Sequence, residues 1–193
     1  WKSRILPNLY IIAGCNGAGK TTASYTVLPE ILNCREFVNA DEIAKGISPF
    51  QPERASFEAG KIMLARINDL LKGGKDFAFE TTLSTRSYAS FVKKAKKNGY
   101  KVSLLFFWLD SIDAAKERVK YRVLHGGHSI PEDVIARRYS RGIKNLKELF
   151  IPIVDYWIIF DNTKEPVLVA EGINGIDFNI INNDIWSRIK IGK

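Results

Sequence analysis

The residues at positions 14–21 have the composition and spacing of a phosphate-binding loop. They read GCNGAGKT and fit the pattern G-x-x-x-x-G-K-[ST]. Glycines let backbone N–H groups point inward around an anion, while Lys20 can reach the terminal phosphates of a nucleotide and the Thr21 hydroxyl can bind Mg²⁺. We therefore predict a nucleotide site rather than a glycine-rich turn with a stray lysine. Its predicted contacts are Gly14, Asn16, Gly17, Ala18, Gly19, Lys20, Thr21 and Thr22.

The segments around this loop alternate between predicted strands and helices, which is typical of a parallel sheet with helices on both faces. The predicted strands are residues 9–13, 36–39, 77–79, 102–109 and 156–160, with a short edge strand over 167–170. The predicted helices are residues 20–28, 52–72 and 113–124, together with helices that begin near positions 42, 87 and 131. No repeat or long linker interrupts the series, so we predict one domain over 1–193. The tail, 171–193, has too weak a pattern for an assignment.

Two acidic residues follow predicted strands at the carboxyl edge of the sheet, where open α/β sheets bind their ligands. Asp41 follows the second strand and is well placed as a general base, although it could instead cap the next helix. Glu80 follows the third strand, where it can hold a Mg²⁺-bound water or orient a nucleophile. Its alternative role is a helix cap or a salt bridge. Because both lie beside a phosphate loop, we favour the functional roles.

A polar cluster follows the third strand. Its members are Thr82, Ser84, Thr85 and Arg86. They could hydrogen-bond a hydroxylated substrate, or they could cap the helix that starts near Ser87. A turn-rich segment with two prolines, residues 46–58, could equally be a substrate-selecting lip or a plain connector. The predicted substrate contacts are Asp41, Glu80, Thr82 and Arg86.

Arginines are concentrated in residues 112–142, on two predicted helices joined by a glycine-containing loop. They are Arg118, Arg122, Arg137, Arg138 and Arg141. The planar guanidinium matches phosphate oxygens and stays charged, so we predict a lid that closes over the transferred phosphate. Salt bridges within the helices are the alternative, although acidic neighbours are few. His125 and His128 lack a third ligand at metal-binding spacing, and we interpret them as polar residues of the lid.

The composition is that of a globular protein with a basic middle. The chain has 193 residues, of which 46% are hydrophobic and 26% charged, and its net charge is +8. Residues 86–147 contain 15 Lys and Arg against 5 Asp and Glu. Such a region could neutralise a polyphosphate substrate or bind nucleic acid, but the lysine run at 93–97 is typical of a solvated helix face. We expect no nucleic-acid partner.

Neither a membrane span nor a disulfide framework is indicated. No apolar run approaches the roughly 20 residues that cross a bilayer. The chain has only two cysteines, and Cys15 lies inside the phosphate loop, where a disulfide would distort the backbone. These features predict a cytoplasmic protein without membrane association.

Four segments together resemble the zeta-toxin-like P-loop kinases, in particular a compact bacterial branch. They read LYIIAGCNGAGKTT, FVNADEIAK, FAFETTLSTR and GGHSIPEDVIARRYSRGIKNL, and they fall within residues 9–170. The ordered set is more specific than the loop alone. The resemblance implies an α/β P-loop NTPase three-layer sandwich, with five parallel strands in the order 2-3-1-4-5 and a helical arginine lid. It also implies ATP and Mg²⁺ as cofactors and a small antitoxin as a candidate protein partner.

The resemblance further implies an activity. The family's phosphate-loop lysine matches Lys20, its catalytic aspartate matches Asp41, and its strand-end glutamate and substrate threonine match Glu80 and Thr82. The implied reaction transfers the γ-phosphate of ATP to a hydroxyl of a small molecule, such as a UDP-N-acetylamino sugar. The alternative is a nucleotide-dependent ATPase or switch that acts on a protein or nucleic acid.

The resemblance also places the phosphate-binding arginines of the lid. They fall among Arg118, Arg122, Arg137 and Arg138. Of these we select Arg122 and Arg138 as catalytic residues and Arg118 as a nucleotide contact.

Overall fold

A seven-stranded sheet lies at the centre of the protein. The structure is a computed structural model that describes residues 6–175 and 177–192, so positions 1–5, 176 and 193 of the predicted domain lie outside it. The strands are β1 (Asn8–Gly14), β2 (Phe37–Val38), β3 (Phe77–Thr81), β4 (Lys101–Trp108), β5 (Tyr156–Asp161), β6 (Val167–Ile173) and β7 (Asp177–Ile180). The helices are α1 (Lys20–Thr26), α2 (Ala40–Ile47), α3 (Ser56–Lys72), α4 (Ser87–Lys97), α5 (Ile112–Leu124), α6 (Glu132–Asn145) and α7 (Asn183–Ile191).

The sheet is mixed, with strand order β2-β3-β1-β4-β5-β6-β7. The first five strands are parallel and follow the predicted order 2-3-1-4-5. The predicted total of five parallel strands is wrong, because β6 and β7 add two antiparallel strands beyond β5. The segment 162–166 is too short for a parallel crossover and permits only a hairpin. Asn174 and Gly175, both at positive φ, begin the second hairpin turn.

The strand predicted at 167–170 is confirmed, but its predicted length and its place at the edge of the sheet are wrong. It extends to Ile173 and lies between β5 and β7. Other differences are local. The helix after the phosphate loop passes at Val27 into a π-helical turn that contains Pro29, and α3 is preceded by a 3₁₀ turn over Pro52–Ala55.

The central strands are buried on both faces, as their nearly continuous apolar sequence predicts. In β4, Phe106 and Trp108 are only 2% and 1% exposed, so they are core residues. The tail also packs on the sheet, because Trp186 of α7 stacks on Trp157 of β5 with ring centroids 5.8 Å apart. In the described part of the chain, none of the helices combines the length and apolar character needed to span a bilayer.

Candidate active site

The phosphate loop connects β1 to α1 and packs tightly against neighbouring backbone. Gly14 has a φ of 146°, and a Cβ there would lie 2.3 Å from the carbonyl oxygen of Phe107. Gly19 has a φ of 80°, and its Cβ would lie 2.5 Å from Nδ2 of Asn162. Since side chains would clash at both positions, the loop conformation requires glycine. Burial raises the pKa of Cys15 to about 11, which keeps a thiolate out of the loop.

Three side chains converge on the carboxylate of Glu80 at the end of β3. Lys20 is buried, and its Nζ lies 3.5 Å from Oε1 of Glu80 while donating to the carbonyl oxygen of Cys15 at 2.9 Å. The hydroxyl of Thr21 donates to Oε2 at 2.8 Å, and Nδ2 of Asn39 donates to the same oxygen at 2.9 Å. Hydroxyl and carboxylate oxygens are the ligand types that Mg²⁺ prefers, so Thr21 and Glu80 suit the predicted metal.

Asp41 lies in the first turn of α2, and its backbone N–H donates to Oδ1 of Asn39 at 2.8 Å. Asn39, and not Asp41, is therefore the N-cap, and the carboxylate of Asp41 is not needed to cap the helix. That carboxylate lies 4.0 Å from Nε2 of His128. Burial lowers the pKa of His128, and the nearby Asp41 offsets only part of the shift.

Three clefts meet at Asp41. The first, of about 220 Å³, extends from Lys20 and Glu80 to the loop after β3. The second, of about 330 Å³, lies between the 3₁₀ turn before α3 and the loop at 128–131. The third, of about 290 Å³, lies between α2 and the loop at 125–128. Within the described part of the chain, Asp41 alone lines all three clefts, so it lies where they adjoin.

The loop after β3 is held in a strained conformation at the first cleft. Leu83 is fully buried, and its backbone has a φ of 55°. Residues other than glycine seldom adopt this left-handed conformation. Asn145 of α6 donates to its carbonyl oxygen at 2.6 Å. The hydroxyls of Thr82 and Ser84 lie 2.9 Å apart and line the cleft. Such strain persists where the surroundings fix it, and it is concentrated at functional sites.

Gly142 of α6 also fixes this loop, and its replacement by alanine tests the contact. A Cβ at Gly142 would lie 2.6 Å from the carbonyl oxygen of Thr82, so we expect Gly142→Ala to lower the free energy of unfolding by about 1–3 kcal/mol. Gly60 of α3 is the matched control, because its Cβ would meet no atom within 4 Å. We expect Gly60→Ala to be neutral or stabilising by up to about 1 kcal/mol. Urea denaturation measures both, and equal effects would contradict the proposed contact.

The arginine-bearing helices approach the phosphate loop from one side. Nη1 of Arg138 donates to Oδ1 of Asn16 at 3.2 Å, and burial lowers the pKa of Arg138 while Asp41 opposes the shift. Arg118 donates to the carbonyl oxygen of Gly17 at 3.3 Å. Arg122 lies farther out, beside the third cleft. Among the described residues, none of these arginines forms a salt bridge, so the alternative role as intrahelical ion pairs is wrong.

A model of the zeta toxin family matches residues 1–173 of this chain. The chain belongs to the zeta toxin family. It is also 32% identical over 126 residues to an uncharacterized protein of Haemophilus influenzae, an alignment that covers 65% of this chain and 88% of the relative. The resemblance of the four sequence segments to this family is therefore confirmed.

Solved structures similar to this zeta toxin family member confirm a P-loop kinase-like α/β fold. A chain of the AvrRxo1-ORF1:-ORF2 complex with ATP superposes with a TM-score of 0.75 at 20% identity, over 96% of this chain. A chain of the PezAT toxin–antitoxin system of Streptococcus pneumoniae superposes with a TM-score of 0.69 at 19% identity, over 100% of this chain and 81% of the other. This chain spans 64% of the length of the AvrRxo1 chain.

Most of the predicted site residues of this zeta toxin family member come together. The first cleft is lined by Asn16, Lys20, Asp41, Glu80, Thr82 and Arg138. Thr21, Arg122 and Asp41 line the third. Thr22 and Arg86 are exposed and line none of the three clefts, and Arg86 occupies the N-cap position of α4 without a side-chain capping bond. None of the predicted cluster therefore caps α4 through its side chain.

Three asparagines at the site were missed in the sequence. Asn39 contacts Glu80, Asn145 holds the carbonyl oxygen of Leu83, and Nδ2 of Asn162 donates to the carbonyl oxygen of Ala18 at 2.7 Å. Asn39 had a usable signal, because asparagine is a preferred residue immediately before a helix. Asn145 had none, since it lies inside a helix and its contact is 62 residues away along the chain.

Proposed function

We propose that this zeta toxin family member is a kinase that transfers the γ-phosphate of ATP to a hydroxyl group of a small molecule. The observation that carries the proposal is the position of Asp41. Asp41 lines three clefts, and the first of these is also lined by the phosphate-loop residue Lys20 and by Arg138. A base, a phosphate-binding cation and a space for an acceptor are the parts that phosphoryl transfer to an alcohol requires.

The roles proposed for the individual residues follow from their contacts. Lys20 binds the terminal phosphates, and Thr21 and Glu80 would hold Mg²⁺ either directly or through water. When bound there, Mg²⁺ would supply positive charge that offsets the charge of the phosphates. Asp41 accepts the proton of the acceptor hydroxyl, and Arg138 stabilises the charge that spreads over the transferred group.

The helices α5 and α6 are proposed as the lid. They carry Arg118, Arg122 and Arg138, and they are joined by a loop in which Gly126 has a positive φ. The loop places His128 beside Asp41, so the lid contacts the proposed base directly. We further propose that the whole chain is one domain. We also propose a cytoplasmic location, because the two buried cysteines are free thiols, which a reducing compartment preserves.

The similar structures support two further parts of the proposal, that ATP is the cofactor and that a protein partner binds the chain. One contains ATP and two different chains, and another belongs to a toxin–antitoxin system. By analogy we propose ATP as the phosphate donor and a small antitoxin as the partner. A UDP-N-acetylamino sugar, implied by the family resemblance, is one candidate acceptor. Thr82, with Ser84 and Thr85 beside it, is proposed to contact the acceptor in the first cleft.

Incubation with γ-labelled ATP, Mg²⁺ and a bacterial metabolite extract tests the function. We expect label to move to a small molecule that mass spectrometry identifies as a phosphate ester. Release of labelled inorganic phosphate alone, with or without extract, would refute the kinase proposal and favour the ATPase alternative. Steeply salt-dependent binding of DNA or RNA that stimulates this release would point to a nucleic-acid partner.

A further inference from the structure

Asn39 joins the parts of the site that bind metal and accept a proton. Its side chain is almost fully buried, with 6% of the residue exposed. At one end, Nδ2 donates to Oε2 of Glu80 at 2.9 Å and lies 3.4 Å from the hydroxyl oxygen of Thr21. At the other end, Oδ1 accepts from the backbone N–H of Asp41 at 2.8 Å. One planar amide therefore contacts three residues of the proposed machinery.

The surroundings of this amide allow only one orientation. Glu80 offers a carboxylate oxygen, which can only accept a hydrogen bond, and the backbone of Asp41 offers an N–H, which can only donate. Rotating the amide by 180° would place oxygen against oxygen and N–H against N–H. Because both contacts would then be repulsive in a buried site, the side chain of Asn39 is locked.

The hydrogen bond to Glu80 also controls the hydroxyl of Thr21. That hydroxyl has a single proton, which it donates to Oε2 of Glu80 at 2.8 Å. Its oxygen accepts a long hydrogen bond from Nδ2 of Asn39 at 3.4 Å, which leaves one of its two lone pairs for a cation. Asn39 donates to the same carboxylate oxygen of Glu80, so it helps Thr21 and Lys20 to hold the carboxylate in this position.

We propose that Asn39 is a positioning residue that couples the metal-binding oxygens of Thr21 and Glu80 to the placement of Asp41. This inference rests on the proposed kinase function for its effect on turnover, but its effect on metal and nucleotide binding does not depend on phosphoryl transfer. Asn39 lines the first cleft, and its proposed role is to hold Glu80 and the backbone of Asp41 in place.

The experiment replaces Asn39 by serine, which can still cap α2 but is too short to reach Glu80. Asn182→Ser is the matched control, because the side chain of Asn182 also caps a helix, α7, by accepting from the N–H of Ile185 at 3.1 Å, and Asn182 lines none of the three clefts. Titration calorimetry of the full chain with ADP, in Mg²⁺ and in EDTA, gives the gain in affinity that Mg²⁺ provides. Thermal unfolding measures stability, and steady-state kinetics gives kcat and KM.

In Asn39→Ser we expect the gain in ADP affinity that Mg²⁺ provides to be about tenfold smaller than in the unmodified protein. We also expect kcat to fall by about 10- to 100-fold, while KM for ATP changes less. For Asn182→Ser, the Mg²⁺-dependent gain in ADP affinity and kcat should both stay within about twofold of the values for the unmodified protein. Asn39→Ala should show the same losses and also unfold at a lower temperature, because it removes the cap as well.

The inference is overturned if Asn39→Ser keeps the full Mg²⁺-dependent gain, or if it behaves like Asn182→Ser in every measurement. It is also overturned if the unmodified protein shows no such gain. By contrast, an unmodified protein that binds ADP more tightly with Mg²⁺ but transfers no phosphate would refute the kinase proposal alone, and the ADP titration of Asn39→Ser would still decide the role of Asn39.

Discussion

Replacing Asp41 by asparagine is expected to slow phosphoryl transfer by about 10²- to 10⁴-fold, the range of a lost general base. An amide cannot accept the proton of the acceptor hydroxyl, whereas it has nearly the same size as the carboxylate. The backbone N–H of residue 41 donates to Oδ1 of Asn39. This contact does not involve the side chain of residue 41, so it should persist in the variant. ADP affinity in the presence of Mg²⁺ should therefore change by less than about tenfold. Single-turnover assays with labelled ATP measure the transfer step.

Asp184→Asn is the matched control for this variant. Asp184 is the second residue of helix α7, just as Asp41 is the second residue of α2. Both helices have an asparagine as their N-cap. Loss of a carboxylate at a helix N-terminus should cost about 0.3–1 kcal/mol of stability at both sites. Only Asp41→Asn should slow transfer. Full transfer activity in Asp41→Asn would show that the base is assigned to the wrong residue.

Replacing Arg138 by alanine is expected to lower kcat by about 10³- to 10⁵-fold, the range of an arginine that stabilises charge on a transferred phosphoryl group. Nη1 of Arg138 reaches Oδ1 of Asn16 in the phosphate loop, and the residue lines both the first and the second cleft. It thus lies where charge would develop during transfer. Because the guanidinium offers a planar pair of donors, Arg138→Lys should recover only a small part of the rate.

Arg141→Ala controls for the loss of positive charge from the same helix. Arg141 lies on α6 three residues beyond Arg138, is exposed, and lines none of the three clefts. We expect it to stay within about threefold of the unmodified protein in kcat, because exposed charges at a distance are screened by salt. Similar losses in both variants would indicate a general electrostatic effect of the basic helix and would contradict a specific role for Arg138.

The local parts of the fold could be read from local patterns in the sequence. The phosphate loop and the alternation of strands and helices depend on residues that are close together along the chain, whereas the strand order 2-3-1-4-5 was implied only by the family resemblance. Strand β7 was missed because it is short and weakly alternating, although Asn174 and Gly175 formed a turn signal. The strand at 167–170 was assigned to the edge of the sheet because its outer neighbour β7 had not been found.

The sequence alone determined which residues could do chemistry: a lysine and a threonine in a phosphate loop, acids after two strands, and arginines on two helices. Only the tertiary structure decided how they meet. Thr21 and Glu80 are 59 residues apart along the chain, yet their side chains share a hydrogen bond that Asn39 completes. Sequence periodicity reports which face of a strand or helix is buried, whereas contacts between side chains depend on strand register and loop packing, which neighbouring residues do not encode.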